Sequence, residues 1–237
     1  MRIDRRTVLL GAAAAALTAC TSKAGLVKPA SGEAATPAKD ATGAADPRAP
    51  RGTPDPKKLP ASIAMVGDSI TVLSEDALKS VLTGLGVLTV TINGEKNRRI
   101  EVGGKKPLPG LNVVKFIQAS APPDMWVIAL GTNDAGSYSA ESDYQGLIDD
   151  LLAAVPHDAP LVWMNVYRND YLDACEQFNL LLRATLTKRG NATVGEWYQQ
   201  VTASKEAILT HDGVHPNASG ILVFANTIRT AVVGQLS

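Results

Sequence analysis

Short apolar segments alternate with amphipathic segments from residue 61 to the end of the chain, and this alternation constrains the fold more than any other feature. We predict five strands, at residues 63–66, 87–92, 125–130, 161–166 and 193–197. Apolar residues at helical spacing predict helices over 75–85, 111–119, 139–155, 170–188, 202–208 and 217–233. Strands that alternate with helices indicate an α/β protein, a three-layer α/β/α sandwich with a mostly parallel five-stranded sheet.

The first 59 residues stand apart from this pattern. Residues 1–19 join three arginines to an apolar run that is too short to cross a bilayer, which predicts a signal peptide for export. The pair Arg5-Arg6 resembles a twin-arginine signal, so the general and the twin-arginine export routes both stay open. Residues 20–59 are rich in Ala, Pro and charge and predict a disordered tether. We therefore predict that residues 60–237 form one folded domain.

The segment Leu17-Thr18-Ala19-Cys20 resembles the bacterial lipobox. This resemblance implies that Cys20 becomes the lipidated N-terminus and anchors the protein to the outer face of the cell membrane. The alternative is a plain secretory signal with an incidental cysteine. If Cys20 carries a lipid, Cys175 has no thiol partner and the chain has no intrachain disulfide.

Charge and residue counts argue against nucleic-acid binding and against a metal site. Residues 60–237 hold 13 Lys and Arg against 18 Asp and Glu. An acidic domain is a poor candidate for nucleic-acid binding, which requires a basic face. With three histidines and no paired cysteines, the chain shows no metal-ligand spacing, and we expect neither a metal nor another cofactor.

Three polar clusters follow predicted strands or precede the last helix. They are Gly67-Asp68-Ser69, Gly131-Thr132-Asn133-Asp134 and Asp212-Gly213-Val214-His215. Because open α/β folds place their chemistry at the carboxyl edge of the sheet, we expect these clusters to meet there. Acyl transfer by a serine needs a nucleophile, a base and a group that orients the base, and Ser69, His215 and Asp212 can supply these three. The alternative for Ser69 is that it only caps the following helix.

The same chemistry needs hydrogen-bond donors for the developing oxyanion. The side-chain amide of Asn133 and the backbone N–H groups of Ser69 and of the 93–98 loop are candidates. We favour His215 over the nearby His211 as the base. Asp68 and Asp134 are expected to anchor loops through hydrogen bonds to backbone N–H groups.

These three clusters, in this order and spacing, resemble three of the four sequence blocks of the SGNH hydrolases, the GDSL-like esterases and lipases. The resemblance spans about residues 61–235 and implies an SGNH or flavodoxin-like fold with Ser69, Asn133, Asp212 and His215 in the roles given above. The second block, normally a glycine whose N–H joins the oxyanion hole, departs from the family pattern. Either Gly94 or Asn97 supplies that donor.

The sequence therefore predicts an exported serine esterase that hydrolyses small O-acyl esters through an acyl-Ser69 intermediate. Acetyl groups on cell-envelope glycans are one candidate within this substrate class, and the protein is expected to be a monomer. One rival is an O-acyltransferase with the same triad, and another is a non-catalytic glycan-binding lipoprotein. A basic run beside the site either selects anionic substrates or forms a solvated loop face; it comprises Lys96, Arg98, Arg99, Lys105 and Lys106.

Overall fold

A computed structural model of the chain describes residues 59–237, which form one five-stranded sheet. The strands are β1 (Ser62–Gly67), β2 (Thr89–Gly94), β3 (Met125–Ala129), β4 (Leu161–Met164) and β5 (Ala192–Gly195). Their order across the sheet is β2-β1-β3-β4-β5, and every neighbouring pair is parallel. The prediction of an α/β fold with a parallel five-stranded sheet is confirmed.

Six helices cover the two faces of the sheet. They are α1 (Ser69–Thr83), α2 (Gly110–Ser120), α3 (Glu141–Ala153), α4 (Leu172–Arg189), α5 (Trp197–Ala203) and α6 (Ala218–Gln235), with a 3₁₀ turn at Asn169–Tyr171. One apolar core lies between the sheet and α2, α3 and α4. The other lies between the sheet and α1, α5 and α6. Because both faces are covered, the central strands β1, β3 and β4 are apolar almost without interruption.

Two predicted helices differ from the observed ones. The first begins at Ser69 rather than at residue 75, because Asp68 caps it directly after β1. The predicted helix 202–208 is wrong: the helix in this region is α5, which begins at Trp197, where the sequence predicted the end of a strand. Asn165 accepts a hydrogen bond from the backbone N–H of Tyr198 at 2.7 Å and so satisfies the start of α5 from a distant part of the chain.

The strand order creates a switch point between β1 and β3. The chain passes from β1 to β2 on one side and then to β3 on the other. The connections after β1 and β3 therefore diverge and leave a crevice at the carboxyl edge of these two strands. Ser69 follows β1 and Asn133 follows β3, so both lie at this crevice.

None of the helices in residues 59–237 is long and apolar enough to cross a bilayer. The predicted signal peptide, Cys20 and nearly all of the predicted tether lie outside the described residues.

Candidate active site

Ser69 lies at the first turn of α1, immediately beyond the end of β1. The N-cap of this helix is Asp68, whose Oδ1 accepts a hydrogen bond from the N–H of Ile70 at 2.9 Å. The alternative that Ser69 is the capping residue is therefore wrong, and its hydroxyl is available for other contacts. Gly67 makes the tight turn possible, because a Cβ at this position would lie 1.9 Å from Oγ1 of Thr71.

The structure brings Ser69, His215 and Asp212 into one hydrogen-bonded row. Nε2 of His215 lies 2.9 Å from Oγ of Ser69, although the two residues are 146 positions apart in the chain. Nδ1 of His215 lies 2.7 Å from Oδ2 of Asp212. His215, rather than His211, contacts the serine. A hydroxyl, an imidazole and a carboxylate in this order form the arrangement that activates a serine for attack on a carbonyl group.

The loop before α6 holds the Asp212 carboxylate in place. Oδ1 of Asp212 accepts hydrogen bonds from the hydroxyl of Thr210 at 2.7 Å, from the N–H of Val214 at 2.9 Å and from the N–H of His215 at 3.0 Å. The hydrogen bond from the His215 ring has the largest effect on the pKa of Asp212. Together with the bonds from the backbone N–H groups and from Thr210, it holds this pKa well below its usual range. The carboxylate is therefore ionised at neutral pH and can orient the imidazole and stabilise its protonated form.

Sequence reasoning missed Thr210. Its only sequence signal is weak, namely a hydroxyl residue two positions before an aspartate in a predicted loop. Gly213, in the same loop, has a φ of +69°. A Cβ there would lie 2.6 Å from the Cβ of Asn169, whose backbone N–H donates to Gly213 O at 3.1 Å. The segment that follows β4 thus supports the loop that carries Asp212 and His215.

Arg98 ties the other side of the site together. Its guanidinium donates to Gly67 O at 2.8 Å, to Oδ1 of Asn93 at 2.9 Å and to Leu108 O at 3.1 Å. Arg98 is only 2% exposed, so it is neither part of a solvated loop face nor free to meet a substrate. This corrects both readings of the basic run where Arg98 is concerned. The backbone O of Arg98 accepts a hydrogen bond from Nδ2 of Asn133 at 3.1 Å.

Gly94 and Asn97, the two candidates for the second-block donor, have different surroundings. Gly94 is the last residue of β2, and the N–H of the next residue, Glu95, donates to Gly67 O. Because successive N–H groups in a strand point to opposite sides, the N–H of Gly94 faces the outer edge of the sheet. Asn97 lies in a turn closed by the Arg98 N–H to Glu95 O hydrogen bond and has a φ of 59°. This is the conformation that a glycine would favour.

Three N–H donors of the loops at this edge of the sheet and of the start of α1 have a hydrogen available. The backbone N–H groups of Ser69 and Asn97 make no hydrogen bond to any residue in the described part of the chain. Nδ2 of Asn133 carries two hydrogens and uses one on Arg98 O. The Ser69 N–H is also one of the free donors at the N-terminus of α1, where the helix dipole favours negative charge.

Asp68 and Asp134 are buried carboxylates beside the site, and both bond to backbone N–H groups as predicted. Asp134 accepts from the N–H of Ile100 at 3.1 Å and from Nε of Arg99 at 3.1 Å. Burial raises the pKa of Asp134, and it raises the pKa of Asp68 to about 6. Within residues 59–237, no cluster of three or more His, Cys, Asp or Glu side chains has the geometry to hold a metal ion.

Comparisons with known proteins find solved structures with a similar fold but no similar sequence family. No protein-family model matches the sequence, and no curated protein shows significant similarity. Solved structures that do match include the catalytic domain of peptidoglycan O-acetyltransferase A from Streptococcus pneumoniae, determined with a methylsulfonyl adduct. They also include the esterase EstA from Pseudoalteromonas sp. and a lipolytic protein of the G-D-S-L family from Veillonella parvula.

These three likenesses are similar in extent. The acetyltransferase domain is 18% identical, with a TM-score of 0.55 over 72% of this chain and 91% of its own. EstA is 13% identical, with a TM-score of 0.52 over 73% of this chain and 96% of its own. The Veillonella protein is 15% identical, with a TM-score of 0.56 over 70% of this chain and 94% of its own. At these identities the likeness establishes the fold, which is that of SGNH and GDSL hydrolases.

Proposed function

We propose that this protein is a serine ester hydrolase that works through an acyl-Ser69 intermediate. The observation that carries the proposal is the row formed by Ser69 Oγ, the His215 ring and the Asp212 carboxylate, with contacts of 2.9 Å and 2.7 Å. An imidazole that bridges a serine and a carboxylate at the switch point of the sheet is the arrangement that an acyl-serine mechanism requires. The likeness to esterases of this fold supports the same conclusion.

Acylation begins with attack of Ser69 Oγ on the ester carbonyl carbon. Nε2 of His215 takes the hydroxyl proton as the new C–O bond forms, and Asp212 stabilises the resulting imidazolium. The carbonyl oxygen becomes an oxyanion, which we assign to the N–H groups of Ser69 and Asn97 and to Nδ2 of Asn133. We infer Asn97 rather than Gly94 as the second-block donor, because the Gly94 N–H faces the edge of the sheet.

The tetrahedral intermediate then collapses. The ester C–O bond breaks, and the imidazolium of His215 gives its proton to the departing alcohol. A water molecule next attacks the acyl-Ser69 carbonyl while His215 takes a proton from it, and the carboxylic acid leaves as Ser69 recovers its proton. No redox step or additional group-transfer cofactor is needed for this sequence.

The openness of the site supports a substrate that is part of a large molecule. The side chains of His215 and Asp212 are 34% and 41% exposed, so the row lies at the surface and not at the bottom of a deep tunnel. An ester on a polymer such as a cell-envelope glycan can reach a surface site without being enclosed. We therefore propose acetyl esters of envelope glycans as the substrate class, consistent with the predicted export and lipid anchor at Cys20.

An O-acyltransferase is the second candidate function. The observation that favours it is the structural likeness to the pneumococcal acetyltransferase domain. The two candidates share every step up to the acyl-enzyme and differ in whether water or a sugar hydroxyl attacks it. Incubation with an acetyl donor and a glycan acceptor separates them, since a transferase yields acetylated glycan and a hydrolase yields free acetate.

Labelling with a fluorophosphonate probe tests the proposed nucleophile. We expect the wild-type protein to be labelled and to hydrolyse p-nitrophenyl acetate, and Ser69→Ala to lose both properties. Ser80→Ala is a matched control, because Ser80 is an exposed serine on the same helix. A folded wild-type protein that takes up no label and hydrolyses no ester would refute the proposal and favour a non-catalytic glycan-binding protein.

A further inference from the structure

The loop that follows β2 concentrates positive charge in an otherwise acidic domain. Residues 95–108 contain five of the 13 basic residues found in 60–237, against two acidic ones. Arg98 is buried and holds the loop to the sheet. The next residue, Arg99, has a different environment, and it has no role in the proposed reaction.

Two contacts fix the guanidinium of Arg99. Nε donates to Oδ1 of Asp134 at 3.1 Å, and Asp134 is itself completely buried. The guanidinium carbon lies 5.2 Å from the centre of the Tyr138 ring, a cation–π contact. The two Nη groups of Arg99 have no hydrogen-bond partner within residues 59–237, and its side chain is 23% exposed. Four N–H donors without a partner are thus held in a fixed orientation on a partly exposed side chain.

Hydrogen bonds link the segment that carries Arg99 to the segment that carries Asn133. Nδ2 of Asn133 donates to the backbone O of Arg98, and Asp134 accepts from the side chain of Arg99. Residues 98–99 and residues 133–134 therefore run side by side at the edge of the crevice. Arg99 is two residues from Asn97 and contacts the residue that follows Asn133, so it is next to both segments that carry the proposed oxyanion donors.

We propose that the outer edge of Arg99 binds an anionic group of the substrate, a carboxylate or a phosphate close to the ester bond. This inference rests on the proposed esterase function and specifies its substrate class. A guanidinium presents parallel N–H groups that match a carboxylate or phosphate in a bidentate arrangement, which a lysine does not. Because Nε is already occupied, the bidentate pair consists of the two Nη groups.

Asp134 offsets part of the positive charge of Arg99, but it does not compete for the outer N–H donors. Asp134 is fully buried and bonds to the N–H of Ile100, so a ligand meets the donors of Arg99 and not the carboxylate. Lys96, Lys105 and Lys106 are exposed on the same loop, whereas Glu95 and Glu101 are partly buried. The exposed charge of the loop is therefore positive, which favours the approach of an anionic substrate.

Matched pairs of esters test the inference. One pair varies the acyl part, mono-p-nitrophenyl glutarate against p-nitrophenyl butyrate; the other varies the alcohol part, 4-carboxyphenyl acetate against phenyl acetate. For at least one pair we expect Arg99→Gln to raise KM for the anionic ester about tenfold and to change KM for the neutral ester less than threefold. Arg99→Lys should keep part of the preference, because it keeps the charge and loses the paired donors.

The controls separate recognition from a loss of structure or of overall charge. Lys79→Gln removes an exposed charge from α1, where Lys79 pairs with Glu75, and should leave both KM values unchanged. If Arg99→Gln impairs neutral and anionic esters equally, or if the wild type shows no preference in either pair, the inference is wrong although the esterase proposal stands. If the wild type hydrolyses none of the four esters, the esterase proposal fails and this inference fails with it. If Arg99→Gln does not fold, Arg99→Lys decides, because an unchanged anionic KM in that variant contradicts bidentate binding.

Discussion

Replacing Asp68 with asparagine should change how the stability of this protein depends on pH. Asp68 is 1% exposed and lies at the N-cap of α1, directly before Ser69. Desolvation by burial raises its pKa from an ordinary value of 3.8 to about 6, although the hydrogen bond from Ile70 acts in the opposite direction. Asparagine is nearly isosteric, is an equally good N-cap and carries no titratable proton.

The sign and size of the effect follow from the two pKa values. Between pH 4 and pH 6 the unfolded chain loses the Asp68 proton while the folded protein retains it, so this group makes the wild type less stable as pH rises. The loss is complete a little above the folded pKa of about 6. A difference of one pKa unit corresponds to about 1.4 kcal/mol, so between pH 4 and pH 8 this carboxyl removes roughly 2–3 kcal/mol from the free energy of unfolding.

Urea denaturation of wild type and Asp68→Asn at pH 4 and at pH 8 measures this quantity. We expect the stability of the variant relative to wild type to be roughly 2–3 kcal/mol more favourable at pH 8 than at pH 4. Asp76→Asn, which removes an exposed carboxylate from the same helix, controls for the general loss of a negative charge. An Asp68→Asn effect of equal size at both pH values would show that the buried carboxyl does not titrate in this range and would refute the reasoning.

Three further predictions concern the proposed roles of single residues. His215→Ala should abolish almost all ester hydrolysis, whereas His211→Ala should retain most of it, as measured with p-nitrophenyl acetate; the reverse result would move the base to His211. Asn133→Ala should lower kcat by roughly 100- to 1000-fold through loss of one oxyanion donor, whereas Asn97→Gly, which keeps the backbone N–H, should retain at least half of the activity. A large loss in Asn97→Gly would contradict a backbone role. Cys20→Ala should move the protein from the membrane fraction to the soluble fraction of the producing cell, and continued retention in membranes would count against a lipid anchor.

The sequence predicted the sheet and most helices because their periodicity is strong. Both cores are built from apolar runs and from helix faces with regular spacing, and these patterns are visible without the fold. The exceptions lie where a distant residue decides a boundary. Asn165 satisfies the start of α5 from the end of β4, and no local pattern around Trp197 reveals such a partner.

The candidate site was predictable where the residue type alone suggests a chemistry. Ser69, Asp212 and His215 belong to two of the three polar clusters, and the structure places their side chains in contact. The basic residues were not predictable in this way, because charge in a sequence does not show its surroundings. Arg98 is buried and structural, whereas Arg99, the next residue, presents free donors at the crevice.

Arg98 also explains how a residue other than glycine can occupy the position of Asn97. Its guanidinium joins the end of β1 to Asn93 and Leu108, and each charge-assisted bond contributes about 1.5–3 kcal/mol. The turn that contains Asn97 is thereby fixed, and it imposes a positive φ of 59°. For most residues the left-handed conformation costs about 1–2 kcal/mol, and asparagine tolerates it better than most. Arg98 makes four such bonds, and desolvation of its buried guanidinium offsets part of their contribution. Because these bonds hold the turn, we expect the position of the Asn97 N–H to depend on Arg98 and not on the presence of a glycine.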